Sequence, residues 1–576
     1  MNIYTTTIFL SIIAYVIVGN YVGRKVKGLE DYFVVGRQAP VLLISGTLVA
    51  SFLSTNTYMG WAGLMYDYNI GLLLLPSLLL TGYIYGSLYF GRYLRRSRCL
   101  TVAEYFAKRF DSRRLQVIAG ITVIIGISFY LIAVSQAIAL ILANLTSLSY
   151  TQGLIVAWLS YTSFTFYSGS KGIVITDTMM FLLFSVVTFL GMVAIFGEHG
   201  GWVTAMEKLV NLDGKENLMA WHGRAGPGQE FETPGDFFIW FLIGGIAWSL
   251  VTAISPWQSS RYLMAKDEHV VLRSACVAAI SIGILQAMVL AAAGVVNLSN
   301  PAIEPRDEVL VWAALNIMPP MVGALLLAGI VAAALSSAST FLSLIGFNLS
   351  HDIFKKEAGG ERDKLKFSRM MMLAASLTVL FVCLLIEQNI FWLTFFAGTV
   401  FASAWGPVAL MSIGSSRVTE SAAFWGIISG FLGNTIPKLL TVLKLIELPV
   451  YLDPILLGAA VSLTVVLLVM NKTTVTDKER TYRQKILKTP DEEVNNQAAK
   501  KSLRYAYTVG IFGVVMTVLL VVYYVIPYQK ALTPSSQKFH FDWLTNEAIA
   551  AYSWAVIFLF MSILLVRRIR RDYSVD

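Results

Sequence analysis

Four hydroxyl side chains cluster in a stretch of the sequence that is otherwise apolar enough to lie in lipid. In VAAALSSASTFLSLIGFNLS, Ala333, Ser336, Ser337 and Thr340 fall on one stripe of a helix, and Ser339 lies close beside it. Each hydroxyl can bond back to a carbonyl of its own preceding turn, and the stripe is then a small-residue face for helix packing. Neutral oxygens are also the ligands that a hard cation such as Na⁺ prefers. From this helix alone both interpretations stay open.

A second polar run, ASFLSTNTYMG, offers more oxygen atoms. It concentrates hydroxyl and amide side chains inside an apolar segment and precedes two glycines: Ser51, Ser54, Thr55, Asn56, Thr57, Gly60 and Gly63. Such a run predicts an unwound helix whose carbonyls line a cavity, the setting in which broken backbone is tolerated in a bilayer. The segment GGIAWSLVTAISPWQ, with Gly244, Gly245 and Pro256, is either a second broken helix or a proline-kinked structural helix.

Asp177 is an acidic residue inside the apolar segment KGIVITDTMMFLLFSVV. A carboxylate there is costly unless it is paired or binds a cation, so a structural and a functional role are both open. Lys171 is a possible structural partner near the membrane interface. Arg261, in SPWQSSRYLMAKD, is expected at the cytoplasmic end of its segment, where it would snorkel or gate rather than bind a ligand.

The composition places these residues in a membrane. Of 576 residues, 56% are hydrophobic and 14% are charged, whereas roughly 25% charged is usual in soluble proteins. We count fifteen stretches of about the 20 apolar residues that a spanning helix needs. The first lacks a basic segment before it and a cleavage site after it, which predicts a retained helix rather than a signal peptide. The three cysteines, Cys99, Cys276 and Cys383, show no disulfide or zinc spacing.

The distribution of charge predicts the orientation. Most of the 44 Lys and Arg residues fall in alternate loops on one side, as the positive-inside rule expects of the cytoplasmic face. The N-terminus is therefore expected outside and the C-terminus in the cytoplasm, in the plasma (inner) membrane, which requires an odd number of spans. The net charge of +9 is then mostly an orientation signal, so the lipid bilayer is an expected partner and nucleic acid is not.

Four motifs in order resemble the sodium:solute symporter family, whose members carry proline, glucose, sialic acid, pantothenate or monocarboxylates with sodium. They are ASFLSTNTYMG, SGSKGIVITD, SPWQSSRYLMAKD and AALSSASTFLSLIGFNLSHDIFKK. The resemblance runs from residue 3 to about residue 470. It implies an all-α polytopic membrane protein with the leucine-transporter-like fold, in which two inverted repeats of five helices are preceded by one extra helix and followed by about four.

The resemblance also implies a division of the chain. It predicts an N-terminal extra helix with a cytoplasmic loop (1–39), a first inverted repeat (40–197), an extracellular loop (198–235), a second inverted repeat (236–413), two additional helices (414–470), a cytoplasmic linker (471–504) and two C-terminal helices with a tail (505–576). No segment outside the membrane is long enough for a separate catalytic domain, and no obligatory protein partner is evident.

By similarity to the family, one or two transported sodium ions are expected. The first would be bound by the backbone carbonyls of Ala50, Leu53 and Ala333 with the hydroxyls of Ser336 and Ser337. A second, found in some members, would be bound by Asp177, Ser339 and Thr340 and would share Ser336.

The solute site is expected between the two broken helices and the fourth span. Similarity nominates eight residues there: Phe52, Ser54, Thr57, Tyr130, Gln136, Trp248, Thr252 and Pro256. Phe52 stands where the proline carrier has an acidic residue, which argues against proline, and the fourth span lacks the arginine with which sialic acid carriers anchor a carboxylate. For the aromatic residues, ordinary packing is the alternative. An aromatic, hydroxyl-lined pocket with almost no charge suits a small neutral, zwitterionic or monocarboxylate solute.

These features predict a secondary active transporter, not an enzyme, that couples inward sodium movement to uptake of a small organic solute by alternating access. Two alternatives remain. A proton-coupled carrier on the same fold would use Asp177 as the proton acceptor. A membrane sensor derived from a symporter would normally add a signalling domain, and the C-terminal segment offers only two further helices.

Overall fold

The architecture is helical throughout this computed structural model, which describes residues 2–68, 76–229, 231–355, 359–386 and 390–574. Within these ranges the backbone forms 24 α-helices and no β-strand, and Ala39 and Ala265 form an isolated bridge. The predicted all-α class is confirmed.

The helix bounds follow the chain. The first group comprises α1 (Ile3–Gly23), α2 (Leu29–Val34), α3 (Val41–Phe52), α4 (Ala62–Asp67), α5 (Pro76–Leu79), α6 (Thr81–Gly86), α7 (Arg92–Ser97), α8 (Val102–Phe110), α9 (Arg113–Leu145), α10 (Tyr150–Glu198) and α11 (Trp202–Val210). The second comprises α12 (Pro234–Ile254), α13 (Pro256–Met264), α14 (Glu268–Val295), α15 (Val309–Asn316), α16 (Pro320–Phe347), α17 (Glu361–Cys383) and α18 (Ile390–Gly414). The remaining helices are α19 (Glu420–Val442), α20 (Pro454–Met470), α21 (Asp477–Leu487), α22 (Asn496–Leu520), α23 (Ile526–Leu532) and α24 (Asn546–Tyr573).

Many of these helices are suited to a bilayer. Among the described residues, ten helices are long and apolar enough to cross a membrane, and the bent pair Val41–Phe52 and Asn56–Asp67 would add an eleventh. Large apolar side chains also cover outward faces, as Ile511 on α22 and Val556 on α24 do. The chain is a multi-pass membrane protein, while the count of fifteen spans stays a prediction.

Two helices are interrupted where the sequence predicts it. After α3 ends at Phe52, Leu53 leaves helical geometry (φ −76°, ψ 79°), and the chain resumes at an angle of 52° through a π-helical turn, Asn56–Trp61. The second break is at Ser255, which is extended (φ −55°, ψ 143°) because Pro256 lacks an amide proton and disfavours a helical residue before it. Gly244 and Gly245, singled out with Pro256, instead lie inside α12.

The helices outside the proposed repeats pack against the repeats or against one another. Helix α1 lies against α10 and α16, α19 pairs with α20, and α22 pairs with α24 and packs on α14. The charged segment 471–504, predicted as a cytoplasmic linker, contains α21 and is hydrogen-bonded to the end of α7. The guanidinium of Arg96 donates to the carbonyls of Ile486 (2.9 Å) and Leu487 (3.0 Å).

One glycine lets α10 turn sharply. Gly169 has φ 53° and ψ −149°, a conformation essentially restricted to glycine. A Cβ atom there would lie 2.5 Å from the carbonyl oxygen of Tyr32. The residues after this kink carry Asp177, so the kink sets the direction of the segment that holds the buried acid.

We therefore expect Gly169→Ala to destabilise the protein by at least about 1–3 kcal/mol, because strained backbone and a clash with main chain add together. Thermal melting of the detergent-solubilised protein measures the loss. The matched control is Gly197→Ala, near the C-terminal end of α10, where an added Cβ meets no heavy atom within 4 Å among the described residues. Equal melting temperatures for the two variants would contradict this account.

Candidate functional site

The hydroxyl stripe of α16 faces protein rather than lipid. Ser336, Ser337, Ser339 and Thr340 are all 0% exposed. The Ser339 hydroxyl donates to the Ser336 carbonyl (2.9 Å), but the hydroxyl oxygens of Ser336 and Ser337 have no hydrogen-bond partner within the described part of the chain. A buried hydroxyl without a partner is costly, so these two oxygens are available to a ligand.

The break in the first interrupted helix frees backbone oxygens. Ser54 donates its amide proton to the Phe52 carbonyl (2.9 Å) rather than to Ala50, four residues back. Thr57 donates to the Ser54 carbonyl (2.9 Å) rather than to Leu53. The carbonyls of Ala50 and Leu53 thereby lose their usual helical donors, as a cation site made from loosened backbone requires.

The structure brings these two groups of oxygens into one neighbourhood. Helix α3, which ends at the break, packs against α16, and both pack against α10. Ala50, Leu53 and Ala333 are each 0% exposed. All five residues predicted to bind the first sodium are therefore buried, and they lie on or next to two helices that pack against each other.

Asp177 is held by two elements that the sequence did not connect to it. Thr47 on α3 donates its hydroxyl to Asp177 Oδ2 (2.5 Å), and Arg261 Nη2 lies 3.7 Å from the same oxygen. Arg261 also donates to the Thr340 hydroxyl. The second carboxylate oxygen, Oδ1, has no hydrogen-bond partner among the residues described.

Two expectations about this region are wrong. Arg261 does not snorkel, because it is 1% exposed and paired with a buried carboxylate. Lys171 is not the partner of Asp177, because its ammonium group pairs with Asp31 instead (3.1 Å). The ion-pair partner of Asp177 is therefore Arg261, which is equally buried.

This arrangement bears on the predicted second sodium ion. A guanidinium already contacts Asp177 and Thr340, two of its four predicted ligands. Asp177 Oδ1 stays open, and the Ser336 hydroxyl lies near this carboxylate without a hydrogen bond of ordinary geometry. The acceptor of this carboxylate that is left for a cation, within the described residues, is therefore Oδ1.

The predicted solute residues fall into two groups. Phe52 and Trp248 meet edge to face, with ring centroids 6.4 Å apart, and Trp248 also approaches Phe395 on α18 (6.3 Å). Tyr130 lies near Ser54 and packs against Phe341 (4.4 Å). These contacts put an aromatic wall beside the first break, where Thr57 is also buried.

The other predicted solute residues donate hydrogen bonds to backbone carbonyls or lie apart from the aromatic group. The Thr252 hydroxyl donates to the Leu79 carbonyl (2.9 Å). Gln136 donates to the Ile386 carbonyl (2.9 Å) and keeps an unpartnered amide oxygen within the described structure. Pro256 borders a small cavity that Arg261 also lines.

Sequence reasoning missed a polar chain that joins the two breaks. Tyr83 donates its hydroxyl to Gln258 Oε1 (3.1 Å), and Gln258 Nε2 donates to the Ser51 hydroxyl (3.3 Å). Gln258 comes two residues after Pro256, so the argument that marked the second break could have found it. Tyr83 and Thr47 carried no such signal, because their partners are distant in sequence.

We expect Arg261→Met to destabilise the protein by about 3–5 kcal/mol, since it leaves Asp177 buried without its counter-ion. Lys171→Met removes a partly exposed ion pair and should cost at most about 1 kcal/mol. Melting temperatures of the two purified variants provide the comparison. A larger loss in Lys171→Met would mean that the buried pair does not stabilise this fold.

Comparisons with known proteins agree with this architecture. The sequence model described as the sodium:solute symporter family matches residues 32–430. The sodium/pantothenate symporter of Haemophilus influenzae is 24% identical over 408 residues, covering 69% of this chain and 80% of that protein. The sodium/proline symporter of Escherichia coli is 24% identical over 451 residues, covering 74% and 86%.

Solved structures show the same fold. A substrate-bound, outward-open Na⁺-coupled sialic acid symporter aligns with a TM-score of 0.70 at 19% identity, over 83% of this chain and 99% of that one. The nucleobase-cation-symport-1 family transporter Mhp1 aligns at 0.52 with 8% identity, over 79% and 98%. The predicted leucine-transporter-like fold is confirmed. The chain belongs to the sodium:solute symporter family and is a secondary transporter that couples solute uptake to sodium.

Proposed function

We propose that the chain carries a small neutral, zwitterionic or monocarboxylate solute inward with one or two sodium ions. The observation that supports the first sodium site best is the pair of buried, unpartnered hydroxyls of Ser336 and Ser337. They lie on a helix that packs against α3, the helix that ends in the loosened turn at Ala50 and Leu53. Neutral oxygens replace the hydration shell of Na⁺ without a fixed charge that would hold the ion too tightly to release it.

The proposed mechanism follows from the two helices, α3 and α16, that a bound sodium ion would hold together. Sodium bound by Ser336 and Ser337 of α16 and by the carbonyls at the end of α3 holds the broken helix against α16. This contact would favour the outward-open state and order the solute residues beside the break, Phe52 and Ser54. Release of sodium to the cytoplasm removes the contact, and the membrane potential contributes about 2.3 kcal/mol per charge per 100 mV.

The solute residues favour recognition by shape and hydrogen bonding over charge. Phe52, Trp248 and Tyr130 would supply aromatic walls, while Ser54 and Thr57 would supply hydroxyls. The ion pair that Asp177 forms with Arg261 in this region is internally neutralised. Relatives named for pantothenate and proline support a small organic solute.

The topology belongs to the proposal as well. The excess of Lys and Arg in alternate loops supports an outside N-terminus and a cytoplasmic C-terminus. The inverted repeats would cover 40–197 and 236–413, each beginning with an interrupted helix. Discontinuous helices in matching places of two repeats are typical of a transport site at mid-membrane.

The test is uptake into proteoliposomes of a panel of amino acids, betaines and monocarboxylates, with and without a sodium gradient. We expect sodium-dependent uptake of a panel member, and Ser337→Ala should abolish the sodium dependence because it removes a ligand oxygen. The matched control is Ser376→Ala on α17, whose buried hydroxyl already donates to the Leu373 carbonyl (2.8 Å). Unchanged sodium dependence in Ser337→Ala would refute the site, and uptake driven by a pH gradient without sodium would favour the proton-coupled alternative.

The proposal of a second sodium ion leads to a separate prediction. Ser339→Ala removes a ligand of that ion alone, so the sodium Hill coefficient of uptake should fall from about two to about one. Initial rates measured over a range of sodium concentrations give the coefficient. A coefficient near one in the unsubstituted protein would restrict the mechanism to one sodium ion, with Arg261 as the permanent counter-ion of Asp177.

A further inference from the structure

A cavity of about 570 Å³ lies where the end of α24 meets α18, α21 and the segment that joins α6 to α7. Small-molecule sites have volumes of about 300–1,000 Å³. Arg568 of α24 and Arg483 of α21 border the cavity, and the described residues that line it include no acidic side chain. Arg483 donates through Nε and Nη2 to the Ile413 carbonyl (3.1 and 2.8 Å), which does not neutralise its charge.

The charge of Arg568 is only partly balanced. Arg568 Nε lies 2.8 Å from Asp572 Oδ2. Arg92 Nη2 lies 2.8 Å from the same oxygen, and Arg571 Nε lies 3.0 Å from the other oxygen of this carboxylate. One carboxylate shared by three guanidinium groups leaves a net positive charge beside the cavity.

Three tyrosines form one wall of the cavity. Tyr85, Tyr89 and Tyr93 all border it and span eight residues, or roughly 12 Å of helix. Tyr93 accepts a hydrogen bond from Arg568 Nη2 (3.2 Å), and α7, which carries Tyr93, packs against α21, which carries Arg483. Tyr85 instead accepts from the Ser249 hydroxyl of α12 (3.1 Å). The cavity is therefore cationic near Tyr93 and extends along aromatic side chains toward α12.

The end of α24 connects this charge to the lipid-facing surface. Phe560 and Ile563 are 61% and 51% exposed on a helix that is long and apolar enough to cross a membrane. Arg567 follows on the same helical face, seven and four residues later, and it is exposed, as is Arg570. Basic clusters directly after a spanning helix are typical of binding to anionic lipids at the cytoplasmic surface.

We propose that this cavity binds an anionic phospholipid of the bilayer. The lipid phosphate would accept hydrogen bonds from Arg568 and Arg483, because guanidinium groups match phosphate geometry. An acyl chain would lie along the tyrosines and Leu410, a surface that a free phosphate would not use. The topology given under the proposed function serves only to assign the lipid to the cytoplasmic leaflet, so lipid binding can be tested without transport.

The experiment titrates the delipidated, detergent-solubilised protein with dioctanoyl phosphatidylglycerol and follows the melting temperature, which a ligand of the folded state raises. We expect a saturable rise with this lipid and none with dioctanoyl phosphatidylcholine, whose headgroup has no net charge. Glycerol phosphate, which has the phosphate but no acyl chains, should also cause no rise at the same concentrations. No rise with phosphatidylglycerol, or an equal rise with either of the other compounds, would overturn the proposal.

Two variants test the cavity itself. Arg568→Gln should raise the phosphatidylglycerol concentration for half-maximal stabilisation about fivefold. Leu410→Trp, which fills the cavity without a change of charge, should also weaken binding. Normal binding in both variants would contradict the assignment of the cavity.

The matched control is Arg571→Gln. It removes another partner of Asp572, but Arg571 does not border the cavity. The concentration for half-maximal stabilisation should stay nearly unchanged in this variant. If Arg571→Gln weakened binding as much as Arg568→Gln, the lipid would be held by general attraction to the basic end of α24, and the specific site would be refuted.

Discussion

The structure depends on oxygen atoms that are buried without a hydrogen-bond partner. In a bilayer, backbone and hydroxyl groups are normally satisfied within their own helix, because no water is available to them. Here the turn at Leu53 withdraws the helical donors of two carbonyls, and α16 presents the hydroxyls of Ser336 and Ser337 without a partner among the residues that the structure describes. Binding of a cation would remove this cost, and release of the cation would restore it. Cation binding can therefore change which packing of α3 against α16 is stable.

The buried pair of Asp177 and Arg261 makes a different contribution. It joins α10 to α13, and through Thr47 and Thr340 it also reaches α3 and α16. Desolvation of two charges makes such a pair a weak source of net stability, yet loss of either partner leaves an uncompensated charge in the interior. The pair therefore fixes how four helices meet around the site more than it strengthens the fold.

The two helix breaks have two effects: they free backbone atoms, and they provide joints between half-helices. A continuous helix through the site would satisfy every carbonyl and leave none for an ion. The interruptions at Leu53 and Ser255 free backbone atoms and also supply joints at which half-helices can tilt.

The sequence by itself determined the local features. Apolar stretches indicated the membrane, the run from Ser51 to Thr57 and Pro256 marked both breaks, and the spacing of Ser336, Ser337 and Thr340 placed their hydroxyls on one face, because helix geometry and proline chemistry act over a few residues. The tertiary structure decided the partners. Arg261 rather than Lys171 neutralises Asp177, Thr252 is committed to Leu79, and Tyr83 reaches Gln258, since each contact joins residues brought together only by the packing of helices distant in sequence.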